Sequence, residues 1–193
     1  MKTKDLVFTA LFMGIVFMLG LWPNLGFIEI GPISVTIIHI PVIIGAIFLG
    51  SKSGILIGLA FGIGSFMNSM TSGVLFAPVF ANPLVSVLPR IIFGFVTYYI
   101  YKAVSTVIKN KTIQYGVSAG LATLTHTLMV LPLLFYFGLG QTGIKAVLEN
   151  AYGGQILKFI IGVLIANGLL EMLAAVLIVP IVLKALDKVR VNG

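Results

Sequence analysis

The stretch ILKFIIGVLIANGLLEMLAAVLIVPIVLKAL, residues 156–186, carries only Lys158, Glu171 and Lys184 as charged groups in an otherwise apolar run. A helix rising about 1.5 Å per residue crosses a hydrocarbon core of roughly 30 Å in about 20 residues. The run therefore reads as a membrane span, with Asn167 and Glu171 inside it. The whole chain agrees. Of its 193 residues, 59% are hydrophobic and 9% charged. A soluble domain carries about 25% charged residues, so there is too little polar surface here to cover a water-soluble globule.

Five more apolar segments precede it, giving spans at about 6–22, 35–50, 54–68, 84–104, 113–137 and 156–186. The expected fold class is all-α: a polytopic membrane protein with six transmembrane helices, residues 1–193 forming one domain. The first run follows Lys2 and Lys4 like a signal peptide, but no small-residue cleavage site follows it, so it reads as a retained helix. Turn residues separate the spans: Pro23-Asn24, Gly31-Pro32, the Gly50–Gly54 turn, and Pro78 to Pro83. Phe27-Ile28-Glu29-Ile30 alternates, and reads as a short hairpin or an extended cap.

Charge sets the orientation. With both termini inside, Lys2, Lys4, Lys52, Lys102, Lys109, Lys111, Lys184, Lys188 and Arg190 lie on the inner side, against Lys145 and Lys158 outside. Lysines and arginines gather on the cytoplasmic side of membrane proteins, so both termini are expected in the cytoplasm. That bias also accounts for the basic balance, 12 Lys and Arg against 5 Asp and Glu, without calling on nucleic acid.

Missing residues narrow the chemistry. With no cysteine there is no disulfide, thiol nucleophile or thiolate metal site, and two histidines are too few for a multi-histidine zinc site. Gly45 and Gly50 have the spacing of a phosphate-binding loop, but Ser51 stands where the lysine belongs, and an apolar helix precedes it. There is no HExxH, and Gly62-Ile63-Gly64-Ser65 is not a nucleophile elbow. An enzyme is not expected, nor a bound metal or cofactor.

Two patterns remain. Small residues recur every four positions at Ala10 and Gly14, at Gly54, Gly58 and Gly62, and at Gly116 and Gly120. Such stripes let helix backbones approach closely, either within the bundle or against a partner protein. The first span is the best candidate for the second role. Polar groups inside the bilayer are costly and usually face a cavity or a partner. Here they are Arg90 and Glu171, with His39, Asn68, Ser86, His126, Thr127 and Asn167. At the helical rise, Arg90 lies about 9 Å below the outer boundary, His126 and Asn167 about 15 Å, and Glu171 about 21 Å. His39 and Asn68 fall near the outer mouth. The set suggests a pocket open to the outside.

Each of these residues has a second reading. Pro89 frees a backbone carbonyl, which the Arg90 guanidinium either satisfies or leaves in order to hold a ligand. Glu171 is either a protonated or arginine-paired structural group or a ligand contact. His126, Asn68 and Asn167 bond either neighbouring helices or ligand, and His39 is either a mouth or packing residue or a contact.

The motifs resemble those of a known family, the substrate-binding subunits (S components) of energy-coupling factor (ECF) transporters. The similarity covers essentially the whole chain. It rests on Ala10-Leu-Phe-Met-Gly14 (glycine replacing the second alanine of an AxxxA signature), His39-Ile-Pro41-Val-Ile-Ile-Gly45, Asn82-Pro83 with Pro89-Arg90, and Asn167-Gly-Leu-Leu-Glu171. The resemblance implies a bacterial cell-membrane protein that binds a water-soluble vitamin from outside. It also implies docking, through Ala10 and Gly14, to a transmembrane coupling subunit that carries two cytoplasmic ATPases. ATP is then consumed only by those partners. The second and fourth spans look most like the pantothenate members, with pyridoxine and hydroxymethylpyrimidine members as neighbours. A carboxylate ligand suits Arg90, whereas Glu171 suits a neutral or cationic ring better. The alternative is a self-contained proton-coupled secondary transporter, with Glu171 and His126 as a relay.

Overall fold

The computed structural model describes residues 2–22, 25–30, 33–73, 75–155, 158, 161–162 and 164–191. The turns expected at Pro23-Asn24 and Gly31-Pro32, and the start of the last span at 156, lie outside these residues. The described helices are α1 (Thr3–Leu21), α2 (His39–Leu49), α3 (Ser51–Thr71), α4 (Ala77–Phe80), α5 (Pro83–Ser86), α6 (Leu88–Val107), α7 (Lys111–Gly138), α8 (Thr142–Tyr152) and α9 (Leu169–Val191). A π turn, Leu164–Gly168, precedes α9. Strands β1 (Phe27–Ile30) and β2 (Ile33–Thr36) pair antiparallel, with Phe27 opposite Thr36. The alternating segment thus takes the hairpin form.

Among the described residues, five helical stretches are long and apolar enough to cross a membrane: Thr3–Leu21, Ser51–Thr71, Pro83–Val107, Lys111–Gly138 and Leu169–Lys188. The span expected at 35–50 is different. Its first residues belong to β2, and α2 has only 11 residues, about 17 Å of helix at the usual rise. Eight of those 11 are buried, including Val42, Ile43 and Ala46 with no exposure at all. The helix is thus shorter than the usual crossing length and enclosed by the bundle. The structure supports a multi-pass helical membrane protein with, among the described residues, five crossing-length helices and a short buried one.

Glycines set the packing. Gly50, at φ +96°, ends α2 and starts α3 in a single residue, a conformation that disfavours any side chain. A Cβ on Gly54 or Gly94 would collide with the other's backbone carbonyl, and one on Gly58 would collide with the Arg90 carbonyl. On Gly62 it would come within 2.7 Å of the Val87 Cα. The α3 and α6 backbones therefore touch along this stripe, running antiparallel. A Cβ on Gly116 would meet Pro180 and Val176 of α9 at ordinary van der Waals distances, whereas one on Gly120 would press to 3.2 Å from the Val176 side chain.

The main core joins Phe12 and Val16 of α1, the apolar face of α2, Ile57 and Phe61 of α3, Phe93 of α6, Ala119 of α7 and Val179 of α9. A second cluster caps one end of the bundle: Phe76, Val79, Val85, Leu131, Leu134, Phe135, Ile144 and Leu148. The sequence reading leaves residues 78–83 and 142–152 as loops, whereas 78–80 belong to α4 and 142–152 form α8. The expected span from 84 starts as the separate short turn α5 before α6. Asn82 caps α5 by accepting from the Leu84 N–H at 3.0 Å, and α8 contributes Ile144 and Leu148 to the cap.

Candidate functional site

The site lies at the capped end, where α3 finishes, α6 begins and the hairpin turns back toward α2. A cavity of about 110 Å³, counted as room for the centres of water-sized molecules, opens there. One water needs roughly 10–15 Å³ on that measure, so a small organic molecule fits where a single solvent molecule would rattle. One wall is a polar stripe on α3: Ser65, Asn68, Ser69 and, just beyond the helix end, Ser72. Facing it are Arg90 from α6, His126 and Thr127 from α7, Asn167 from the π turn and Glu171 from α9. Phe27 and Thr36 of the hairpin and Phe76 and Phe80 of the cap complete the lining, with Val130, Leu131 and Leu134 as its apolar part.

Arg90 is 3% exposed. Pro89 has no N–H to give the Val85 carbonyl four residues back, and Arg90 Nη1 donates to that oxygen at 2.5 Å instead. The guanidinium carbon sits 5.4 Å from the Phe61 ring centroid and 5.1 Å from that of Phe80, distances at which a cation is attracted to an aromatic face. Nε is buried with no partner. The proline–arginine pair thus fixes the side chain with one donor, and the remaining donors are available at the cavity.

Glu171 sits at the opposite pole. Its Oε1 accepts the Thr36 backbone N–H at 2.7 Å, which ties the hairpin to α9. Thr36 is itself a node, since its hydroxyl donates to the Gly26 carbonyl at 3.2 Å and accepts the Ile38 N–H at 3.2 Å. Arg90 and Glu171 share the cavity without an ion pair between them; their partners are the Val85 carbonyl and the Thr36 N–H. The arginine-paired reading of Glu171 is thereby replaced by a hairpin anchor.

The histidines part company with each other. His126 lines the cavity, its ring 4.9 Å from Phe93 and 5.7 Å from Phe61 between centroids. His39 is not at the mouth. As the first residue of α2 it is wholly buried behind His126, the two rings stacked 6.3 Å apart at an interplanar angle of 7°. Among the described residues, both nitrogens of both rings lack hydrogen-bond partners. The displacement follows from the hairpin. Because β2 uses the residues before it, α2 starts at His39 and plunges directly into the core. Ser86 is also off the cavity, its hydroxyl donating to the Asn82 carbonyl at 3.2 Å.

Five of the six expected ligand residues thus converge: Arg90, Asn68, His126, Asn167 and Glu171. The hydroxyls of Ser65, Ser69 and Ser72 are additions, and their signal is in the sequence. With Asn68 they recur at i, i+3, i+4 and i+7, a polar stripe on an apolar helix. Thr36 carries no such signal, because its backbone rather than its side chain meets Glu171.

A bundle of membrane-crossing helices that encloses a mixed-charge polar cavity near one end is a small-molecule binding subunit of the membrane. Residues 4–183 match the model of the family described as "ECF transporter, substrate-specific component", and the chain belongs to that family. It is 28% identical over 218 aligned positions to the pantothenic acid transporter PanT of Lactococcus lactis subsp. cremoris, covering 100% of this chain and 98% of the relative. It is also 31% identical over 188 positions to the pantothenate transporter PanT of Leuconostoc mesenteroides subsp. mesenteroides, covering 92% and 89%. Family and relatives are transporters, not enzymes. Membership of a family of substrate-specific components displaces the reading as a self-contained carrier.

Proposed function

We propose that this chain captures pantothenate from outside the bacterial cell and passes it inward as the substrate-binding subunit of an ECF transporter. The observation that carries the ligand is Arg90, a buried guanidinium immobilised by Val85, Phe61 and Phe80 with donors left at the cavity. Charge-assisted hydrogen bonds to a carboxylate are strong and short in such surroundings. Asn68, Asn167, His126 and the α3 serines face the space that the amide and hydroxyl groups of pantothenate would occupy. The names of the two relatives point the same way.

Orientation follows from the lysines. Lys52, Lys102, Lys109, Lys111, Lys184 and Lys188 lie toward the end opposite the cavity, so the positive-inside rule turns the cavity outward and both termini to the cytoplasm. Coupling partners would meet α1. Only 22% of its crossing window is buried, against 50% for α7, and Ala10 and Gly14 are exposed. A Cβ on Gly14 meets nothing within 4 Å. This open small-residue face suits a transmembrane coupling subunit carrying two ATPases. ATP is then consumed by those partners, and the chain itself needs no cofactor.

The test is calorimetric titration of the purified chain with pantothenate, pyridoxine and hydroxymethylpyrimidine, repeated on Arg90→Ala. Pantothenate is expected to bind selectively. Losing a charge-assisted contact worth about 2–3 kcal/mol should weaken it roughly 30- to 150-fold. Binding of pyridoxine or the pyrimidine alone, or affinity unchanged by Arg90→Ala, would overturn the assignment.

A further inference from the structure

The cavity has a guanidinium at one pole and a carboxyl group at the other, and the two do not contact each other. Arg90 spends a donor on the Val85 carbonyl, 2.5 Å away. Glu171 spends one oxygen on the Thr36 N–H, 2.7 Å away. Among the described residues the second Glu171 oxygen has no hydrogen-bond partner, and the residue is 6% exposed while lining the cavity. Among the described residues no lysine or second arginine lines the cavity with it. The other described lining groups are hydroxyls, amides, the His126 ring and apolar side chains.

We infer that Glu171 is a specificity-determining residue that reads the end of the ligand remote from its carboxylate, accepting hydrogen bonds there and rejecting a second anionic group. This rests on the reading of the site as a pantothenate site anchored at Arg90. With the carboxylate at Arg90, the chain of pantothenate runs toward its terminal hydroxyl, and the free Glu171 oxygen is an acceptor for such a donor. A phosphate ester at that hydroxyl carries about −1.5 to −2 charges at pH 7 and has no donor to offer. At that pole it meets a carboxylate in a poorly solvated space, where like charges repel far more strongly than in water.

The site therefore takes a monoanion with donors at its far end and excludes the phosphorylated form of the same molecule. A transported ligand that is then phosphorylated at the terminal hydroxyl by a kinase-class reaction inside the cell could not re-occupy the site. Capture and retention would be separated by one charge.

The experiment compares three probes on the full chain: pantothenate, its 4′-phosphate ester and its neutral 4′-O-acetyl ester, with Glu171→Gln beside wild type. Glutamine keeps an oxygen for the Thr36 N–H, so the hairpin anchor is retained, while the cavity-facing carboxylate oxygen becomes an uncharged NH2 donor. On wild type the phosphate ester should bind at least about 100-fold more weakly than pantothenate and at least about 10-fold more weakly than the acetyl ester. Glu171→Gln should narrow the gap between phosphate and acetyl esters about 10-fold. Phosphate and acetyl esters binding equally poorly to wild type would assign the rejection to bulk and overturn the inference, whether or not the variant folds. So would a phosphate ester that binds wild type like pantothenate, or a gap that glutamine leaves unchanged. Each of these results leaves pantothenate binding, and so the proposed function, standing. Failure of wild type to bind pantothenate would overturn both.

Discussion

Two stripes of small residues in this chain are written alike and used in opposite ways. Gly54, Gly58 and Gly62 on α3 are consumed inside the bundle, pressed against Gly94, the Arg90 carbonyl and Val87 of α6. Ala10 and Gly14 on α1 touch nothing of the kind and stay exposed among Val7, Leu11 and Met18. The buried stripe also sets the site, since Gly58 brings α3 against the very residue whose side chain reaches the cavity. The exposed stripe has no part in holding the fold. Small-xxx-small spacing therefore states that a backbone can be approached closely. It does not state what approaches.

Substitutions can break that contrast. Gly58→Val should have the largest effect on the fold, because its side chain would meet the α6 backbone at Arg90 rather than a yielding side-chain tip. Overpacking of this kind costs about 1–3 kcal/mol and more where backbone must move. Thermal unfolding in detergent, followed by size-exclusion chromatography, should show a large loss of folded protein. A melting temperature within a degree or two of wild type would mean that the two helices are not in contact here.

A smaller effect belongs to the other edge of α3, where α1 attaches. The Thr9 and Ser53 hydroxyls hydrogen-bond each other at 2.8 Å, both residues being buried. Thr9→Val removes one partner of an interhelical contact of a kind that averages about 0.6 kcal/mol within membranes. The same melting assay should register a modest decrease, and Thr9→Ser should restore it. No difference between valine and serine would show that the α1–α3 interface is held by packing alone.

The smallest effect on the fold should come from Gly14→Leu. With open space around that position, stability should change by no more than about 0.5 kcal/mol, and pantothenate affinity should be unchanged. Uptake measured in cells or liposomes with the coupling complex should nevertheless fall to background, since bulk would block close helix docking. Normal uptake by a folded Gly14→Leu chain would sink the assignment of this face to a partner.

Much of the candidate site is legible in the sequence. Arg90, Asn68, His126, Asn167 and Glu171 are conspicuous because polar groups are expensive among apolar residues, and these positions, drawn from four separate helical segments, share one cavity. Pro89 even announces the carbonyl that Arg90 satisfies. His39 was equally conspicuous and lies elsewhere. Its placement depends on where the hairpin ends and α2 begins, and burial of eight of eleven α2 residues leaves no pattern of faces from which to judge depth. The cap was less visible still, because α4 and α5 are four residues each, too short for a periodic signal.

What the amino-acid sequence determined alone is the solvent and the cost structure: a chain this apolar belongs in a bilayer, and its few buried polar groups need a reason to be there. Those conclusions depend on transfer free energies, which belong to each residue type wherever the chain goes. Only the tertiary structure decided that α2 is short and enclosed by the bundle, which glycine stripe is buried, and that Arg90 and Glu171 face one cavity without pairing. Those outcomes depend on what lies opposite each residue, and residues as far apart as Thr36 and Glu171 become neighbours only when the chain has folded.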